Sequence, residues 1–203
     1  MAKIDLKKKL KELYTPSVKE VSVVDVPEMN FLMVDGSGNP NTSVEFQDAM
    51  QALYGLSYTI KFHAKNQLNQ DYVVMPLEGL WYSSKEKFEP HDKSSWQWTV
   101  MIAQPDFISE DLVKRMIPEV QKKKPTPALE KIRFQSYHEG LSAQIMHVGP
   151  FSAEGPTVAK LHTSIKEQGY DLIKIQKKHH EIYLSSPRTA PEKMRTIIRQ
   201  PLS

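Results

Sequence analysis

Cysteine does not occur in this chain of 203 residues. Its absence excludes disulfide bonds, thiolate nucleophiles and cysteine-ligated zinc. The histidines do not supply a metal site in its place, because His179 and His180 have no further ligand at a recognised spacing and no His-Glu-x-x-His motif occurs. Walker A and dinucleotide-binding motifs are missing as well. We therefore expect no metal ion and no other cofactor.

Long hydrophobic runs are also absent. No apolar stretch approaches the roughly 20 residues that a helix needs to cross a bilayer. The first residues, Met1 to Leu6, lack the apolar segment of a secretory signal. The composition, 39% hydrophobic and 25% charged, is ordinary for a globular protein. The sequence therefore predicts a cytoplasmic protein with its own hydrophobic core and no membrane partner.

The excess of positive charge is small. The formal net charge is +3, and lysines occur in short runs such as Lys7–Lys9 and Lys122–Lys124. A nucleic-acid partner would require a basic stripe or a recognition module, and neither a C2H2 finger nor an RNP motif is present. Because short runs of charge usually form solvated surface, we expect no nucleic-acid partner.

The first half of the chain predicts alternating helices and strands. The predicted elements are a helix over 3–14, strands over 21–26 and 31–34, a helix from Val44 to about Tyr54, and strands over 58–62 and 72–76. Ser43 is placed to cap the second helix, and Phe46 belongs to its buried stripe. An alternative that stays open is that residues 56–62 extend this helix.

The second half predicts the same order of elements. They are a strand over 141–148, a helix over 157–168 that ends at Gly169, and strands over 172–175 and 180–184. The order of elements, more than residue similarity, predicts two β-α-β-β units in tandem and hence an α+β fold.

An insertion is predicted between the two halves, over about residues 83–134. Its predicted elements are a strand over 96–102, a helix over 109–117 capped by Ser109, and a strand over 132–137 that continues into the second half. We expect a single domain over residues 1–203, with the first repeat at about 20–82 and the second at about 135–203.

One short segment carries the first functional signal. Residues 179–185 read HHEIYLS and alternate as a strand, so Glu181 and Tyr183 point to one face. Aromatic residues cluster elsewhere at Trp81-Tyr82 and around Trp98. A carboxylate among aromatic rings binds cationic or flat organic molecules. The alternative is an exposed glutamate on the open face of a sheet.

Several segments together resemble one known family. They are Pro76–Tyr82, His147–Phe151, Pro156–Thr157, His179–Ser185 and the tail Pro191–Pro201. With these segments in this order, the chain resembles stand-alone GyrI-like small-molecule-binding proteins over about residues 3–201. It departs from relatives that carry two tryptophans after Gly-Leu, because here Trp81 is followed by Tyr82.

This resemblance implies a fold and a class of ligand. The fold would be a twofold-related pair of β-α-β-β units whose antiparallel sheets form one concave surface, with a hydrophobic groove between the halves and helices on the other side. The same fold serves multidrug-sensing transcription regulators as an effector domain. Some stand-alone members resemble hydrolases that open the cyclopropane ring of genotoxic alkylators. The family's acidic residue maps onto Glu181.

The chemistry of ring opening assigns roles to residues. It needs a base that activates water and a donor to the oxygen that gains charge, and a histidine such as His147 or His180 to move the proton. The predicted catalytic residues are Glu181 and Tyr137, and the predicted ligand-binding residues are Trp81, Tyr82, Trp96, Trp98, Phe151, Tyr183, Glu78 and His147. As alternatives, a tryptophan packs in the core, Glu78 caps a turn, or Tyr137 packs within the sheet.

Two functions are therefore predicted. In the first, the protein binds hydrophobic aromatic or cationic small molecules and hydrolyses strained cyclopropane-containing alkylators, which would give drug resistance by detoxification. In the second, it is a multidrug-binding or sensing module without catalysis, and Glu181 is a counter-charge. The stretch before the first strand is too short for a helix-turn-helix module, so a regulatory role would need a protein partner.

Overall fold

The structure is a computed structural model that describes residues 3–83, 92–170, 178–186 and 188–202. The helices in this part of the chain are α1 (Leu6–Lys9), α2 (Lys11–Tyr14), α3 (Val44–Gln67), α4 (Glu110–Lys123) and α5 (Gly155–Glu167). The strands are β1 (Ser22–Val26), β2 (Met29–Ser37), β3 (Leu77–Ser83), β4 (Trp96–Gln104), β5 (Arg133–Tyr137), β6 (Gly140–Val148), β7 (His179–Tyr183) and β8 (Arg195–Pro201). No helix within the described ranges is long and apolar enough to span a membrane.

The eight described strands form one curled antiparallel sheet, in the order β1-β6-β8-β7-β3-β4-β2-β5. The predicted α+β class is confirmed. The order is symmetric about the central pair, β7 and β3, because each half continues outward through two strands of its own unit to an edge strand. This symmetry matches the tandem β-α-β-β arrangement expected from the sequence.

The first unit consists of β2, α3, β3 and β4, and the second consists of β6, α5, β7 and β8. Strand β4, which falls in the predicted insertion, therefore completes the sheet of the first unit. The edge strand β5 pairs with β2, whereas β1 crosses over to pair with β6 of the second unit. The division of the chain into domains stays a prediction.

The predicted strand over residues 58–62 is wrong, and the alternative of a longer helix is right, since α3 continues to Gln67. Its buried stripe includes Leu56, Ile60 and Ala64 at helical spacing, whereas Tyr58 and Phe62 are about half exposed. Aromatic and β-branched residues favour a strand here, but packing of the buried stripe against the sheet stabilises the helix more than these local preferences disfavour it.

Two other boundaries differ from the prediction. Residues 72–76 form no strand, and only a bridge between Ile4 and Tyr72 lies there, so the strand begins at Leu77. The first predicted helix is broken at Leu10 into α1 and α2. The predicted strand over 172–175 lies outside the described residues. The helix caps at Ser43 and Ser109 are confirmed, since each side chain accepts a backbone hydrogen bond.

Helices α3 and α5 pack on one face of the sheet, whereas α2 lies against the other face, where Tyr14 bonds Glu78 and the Leu13 carbonyl accepts from Arg199. Phe46 of α3 contacts Trp98 of β4, and Leu161 of α5 packs with Ile145 of β6 and Ile198 of β8. We call this side of the sheet the helix face. Because alternate residues of a strand point to opposite sides, the pairing register then assigns every other strand residue to this face or to the opposite one.

Gly36 is required by the packing of the largest core side chain. It lies opposite Trp98 in the β2–β4 register, and the indole lies over it. A Cβ atom at position 36 would stand 2.1 Å from Cη2 of Trp98, which is less than any tolerable contact. The indole is fully buried, so it has little room to move away.

We expect Gly36→Ala to lower the free energy of unfolding by about 1–3 kcal/mol, because overpacking displaces the indole or the strand. Urea unfolding followed by tryptophan fluorescence measures this loss. Gly155→Ala is the matched control, since a Cβ atom there would meet nothing within 4 Å. The control should be neutral or stabilising by up to about 1 kcal/mol. Equal stabilities of the two variants would contradict the packing argument.

Candidate functional site

The central strand pair, β3 and β7, brings Glu181 next to Trp81. Gly79 pairs with Glu181, and Trp81 pairs with His179. The register places Trp81, Glu181 and Tyr183 on the helix face, at the junction of the two units. The turn before α5 contributes Phe151, whose ring lies edge-on to the ring of Tyr183 with the centroids 5.6 Å apart.

Aromatic rings from both units meet around this junction. We call them the aromatic cluster, which consists of Phe46, Trp81, Trp96, Trp98, Phe151 and Tyr183. The ring centroids of Trp81 and Trp96 are 5.5 Å apart, and Phe46 lies 5.8 Å from Trp81 and 5.2 Å from Trp98. These are the distances of favourable aromatic pairs, so the cluster is packed by its own side chains.

Glu181 is held by a chain of hydrogen bonds. It is 9% exposed. The indole N–H of Trp81 donates to the hydroxyl of Tyr183 over 2.9 Å, and that hydroxyl bonds the Glu181 carboxylate. Nε2 of His179 lies 3.2 Å from the same carboxylate. Burial, and then the charge on Glu181, raise the pKa of Tyr183 well above its usual value, so the hydroxyl keeps its proton.

Gly79 makes room for this chain of bonds. A Cβ atom at position 79 would stand 2.9 Å from Nε1 of Trp81 and 3.1 Å from the hydroxyl of Tyr183. The absence of a side chain therefore allows the indole and the phenol to meet directly beneath the cluster.

A second carboxyl group, which sequence analysis missed, accompanies Glu181. Glu154 precedes α5, and its Oε2 is buried without a hydrogen-bond partner in the described part of the chain. Burial and the charge on Glu181 raise the pKa of Glu154 to about 8, although Lys93 lowers it. The ammonium of Lys93 lies 5.3 Å from the ring centroid of Trp96. A glutamate before a helix is unremarkable in a sequence, so only the folded structure shows that it lies near Glu181.

The predicted residues Glu78, Tyr82 and Tyr137 lie on the opposite side of the sheet, which we call the network face. The sheet therefore separates the predicted catalytic pair, Glu181 and Tyr137. Tyr137 contacts Phe31 edge-on at 6.4 Å, and the ammonium of Lys178 lies 5.8 Å and 5.9 Å from the ring centroids of Tyr137 and Tyr82.

Glu78 belongs to a buried charge network on that face. The hydroxyl of Tyr14 donates to Glu78, and His180 lies 3.0 Å from Oε2 of Glu78. The other ring nitrogen of His180 lies 2.9 Å from Glu139, which also accepts a hydrogen bond from Arg199 over 3.1 Å. Two acids and two bases thus neutralise each other in the interior, as buried charges require.

The network sets the charge state of its members. Burial alone would lower the pKa of His180, but Glu139 and Glu78 raise it to about 9. Burial alone would raise the pKa of Glu139, but His180 and Arg199 lower it to about 2. His180 is therefore an imidazolium that donates hydrogen bonds from both ring nitrogens at neutral pH. Because both nitrogens are bonded to carboxylates, His180 is not free to transfer a proton to a ligand.

His147, a predicted ligand-binding residue, anchors the turn before α5. Its Nδ1 lies 3.0 Å from the hydroxyl of Thr157, and its Nε2 lies 3.2 Å from the carbonyl of Pro150. These two bonds fix the start of α5 to β6. His147 therefore positions Phe151 and Glu154 over the strand that carries Glu181.

Two surface depressions lie away from the aromatic cluster. One depression of about 390 Å³ is lined by Gln121 and Thr126, and another of about 240 Å³ by Asp48 and Lys131. Neither is lined by the aromatic cluster. Within the described ranges, no group of three or more histidine, aspartate or glutamate side chains is arranged to hold a metal ion.

The charge network predicts a specific dependence of stability on pH. The pKa of His180 is higher in the folded than in the unfolded protein, so its contribution, about 3 kcal/mol, is complete below about pH 6.5 and is lost as pH rises through about 9. Urea unfolding at a series of pH values from 5.5 to 9.5 measures this loss.

In His180→Gln we expect lower stability at pH 5.5 and a smaller decline above about pH 8, where Glu154 is already largely ionised and His180 is the group that titrates. His138→Gln, at an exposed position, is the control and should follow the wild type. A His180→Gln variant that declines as steeply as the wild type would contradict the assignment.

Comparison with known proteins gives one consistent family. A search of curated proteins finds no match. A crystal structure of an uncharacterized conserved protein from Listeria innocua has a TM-score of 0.91 and 43% identity, over 99% of this chain and 100% of that one. Two proteins described as hydrolases from Listeria innocua have TM-scores of 0.88 and 0.86 with 43% and 41% identity. Each is covered over 100% of its length, against 100% and 99% of this chain.

The family model of the GyrI-like small-molecule-binding domain matches residues 19–202, nearly the whole described chain. The resemblance predicted from the sequence segments is confirmed. The symmetric sheet agrees with that match. The chain therefore belongs to the GyrI-like family of small-molecule-binding domains.

Proposed function

We propose that the aromatic cluster and Glu181 bind hydrophobic aromatic or cationic small molecules and hydrolyse strained, cyclopropane-containing genotoxic alkylators. The observation that carries the proposal is a nearly buried carboxylate, 9% exposed, bonded to a tyrosine within a shell of aromatic rings. Aromatic walls stack on a flat ligand, and the carboxylate attracts positive charge or accepts a proton.

Entry of a ligand requires the outer rings to move, because the rings of the cluster already contact one another. Phe151 is the most accessible, at 46% exposed, and Trp96 is partly exposed. The inner rings, Trp81 and Trp98, are buried and form the fixed base of the cluster. A ligand would therefore enter between Phe151 and Trp96 and stack on Trp81.

The ring-opening reaction balances with one water molecule. Glu181 accepts a proton from water as the water oxygen bonds to the cyclopropane methylene carbon. The ring C–C bond breaks, and its electron pair moves into the conjugated carbonyl, whose oxygen then takes up a proton. Strain stored in the substrate lowers the barrier, so one positioned base and good stacking supply the rest of the catalysis.

A hydroxyl donor to the charged oxygen completes this chemistry. Tyr137 lies across the sheet from Glu181, so we assign the donor role to Tyr183 instead, whose single O–H turns from Glu181 to the charged oxygen as the carboxylate takes the proton from water. Its raised pKa keeps the hydroxyl protonated, and the Trp81 N–H fixes its oxygen. The two Listeria innocua proteins described as hydrolases, at 41–43% identity over the full chain, support a hydrolytic activity.

A binding module without catalysis is the second candidate. The family match favours it, because the family is described as a small-molecule-binding domain and no reaction is part of that description. In this case Glu181 is a counter-charge for a cation, and the protein sequesters or senses its ligand.

Incubation with an alkylator whose cyclopropane is conjugated to a dienone separates the two candidates. We expect the wild type to convert the compound to a product heavier by one water, seen as loss of the dienone absorbance and by mass spectrometry. Glu181→Gln should slow turnover by about 10²–10⁴-fold while leaving ligand affinity within a few-fold, because the amide cannot take the proton.

Glu167→Gln, an exposed change at the end of α5, is the matched control and should turn over normally. Unchanged substrate with the wild type would favour the binding module. In that case Glu181→Gln should weaken the binding of cations and leave neutral ligands unaffected.

A further inference from the structure

The proposed reaction uses one carboxyl group, yet the site contains two. Glu154 lies on the turn that Phe151 begins, and Phe151 packs on Tyr183, the residue that bonds Glu181. His147 fixes this turn to β6. Glu154 is therefore held beside Glu181 by packing, not by chance orientation of a surface side chain.

The two carboxyl groups differ in their partners. Glu181 has the Tyr183 hydroxyl and Nε2 of His179 to stabilise a negative charge. Oε2 of Glu154 is buried and has no hydrogen-bond partner within the described ranges. A negative charge on a carboxylate whose buried oxygen has no donor is costly, and a second negative charge beside Glu181 adds repulsion. The charge therefore resides on Glu181 and the proton on Glu154.

The surrounding charges support this distribution. The titratable and charged groups around the pair are Glu181, Tyr183 and His179 of β7, Lys93 before β4, His147 of β6 and His162 of α5. Burial, followed by the charge on Glu181, raises the pKa of Glu154 to about 8, and Lys93 only partly offsets this. Glu154 is thus mostly protonated at neutral pH.

We propose that Glu154 and Glu181 form a two-carboxyl site that holds one proton on Glu154 when empty and exchanges it for the positive charge of a monocationic aromatic ligand. This inference rests on the ligand binding of the proposed function and adds the charge that the site selects. A cation within about 4–6 Å lowers the pKa of a carboxyl by about 1–3, which is enough to expel the proton near neutral pH.

The exchange has a thermodynamic signature. A monocation gains two ionised carboxylates in a desolvated site, at the cost of releasing one proton, so its affinity rises with pH until Glu154 is ionised in the free protein. A neutral ligand of the same shape leaves the proton in place. Its affinity is then independent of pH over the same range.

NMR of the ligand-free protein tests for this proton directly. In ¹³C NMR spectra of the full chain labelled at glutamate Cδ, we expect one carboxyl to titrate near pH 8. That titration should vanish in Glu154→Gln, move to lower pH in Glu181→Gln, and persist in the control Glu167→Gln. No carboxyl titrating above about pH 6 would overturn the proposal, whatever ligands bind.

Calorimetry then measures the exchange with methyltriphenylphosphonium and the neutral triphenylphosphine oxide. In the wild type at pH 7, heats in phosphate and Tris should differ by close to one released proton for the cation and none for the oxide. Affinity for the cation should rise on the order of tenfold between about pH 6.5 and 8.5, and in Glu154→Gln it should stay within about twofold.

Equal proton release by wild type and Glu154→Gln would overturn the proposal. A cation that fails to bind although the carboxyl titrates near pH 8 would overturn the exchange. Failure of the hydrolytic function appears separately, because an intact alkylator together with normal proton release refutes hydrolysis and leaves the exchange supported.

Discussion

The pairing of β3 with β7 is the constraint on which the site depends. It joins the two units, and its register sets Gly79 against Glu181. Because side chains alternate along a strand, this register also sends His180 and Glu181, which are neighbours in the chain, to opposite faces. A slip of β7 by one residue would turn His180 towards the helix face and Glu181 towards the buried acids of the network face.

The two faces have opposite physical characters. On the network face, acids and bases satisfy each other through short contacts, and rearrangement would leave a charge buried and unpaired. On the helix face, aromatic rings pack against one another, and the buried side-chain polar atoms without partners in the described residues, Nε1 of Trp98 and Oε2 of Glu154, both belong to this side. The fully paired network therefore holds the central strands in register beneath the aromatic cluster.

Local signals in the sequence predicted local structure. Ser43 and Ser109 marked helix starts, and the alternation at 179–185 placed Glu181 and Tyr183 together, as the structure shows. Information about strand order is not local, so nothing in the sequence pattern showed that Tyr137 belongs to the other face. Glu154 was hidden for the same reason, because its significance arises only from the strand beneath it.

The path of the first strand has a consequence for synthesis. Strand β1 is synthesised early but pairs with β6, so the hydrogen bonds between the strands at Ser22 and Gln144 can form only after Gln144 has been synthesised. Until then the nascent chain carries an unpaired strand, which is a template for wrong partners. Pairing across so long a stretch of chain also slows folding. The N-terminal strand β1 can therefore pair only after β6, the first strand of the second unit, has left the ribosome.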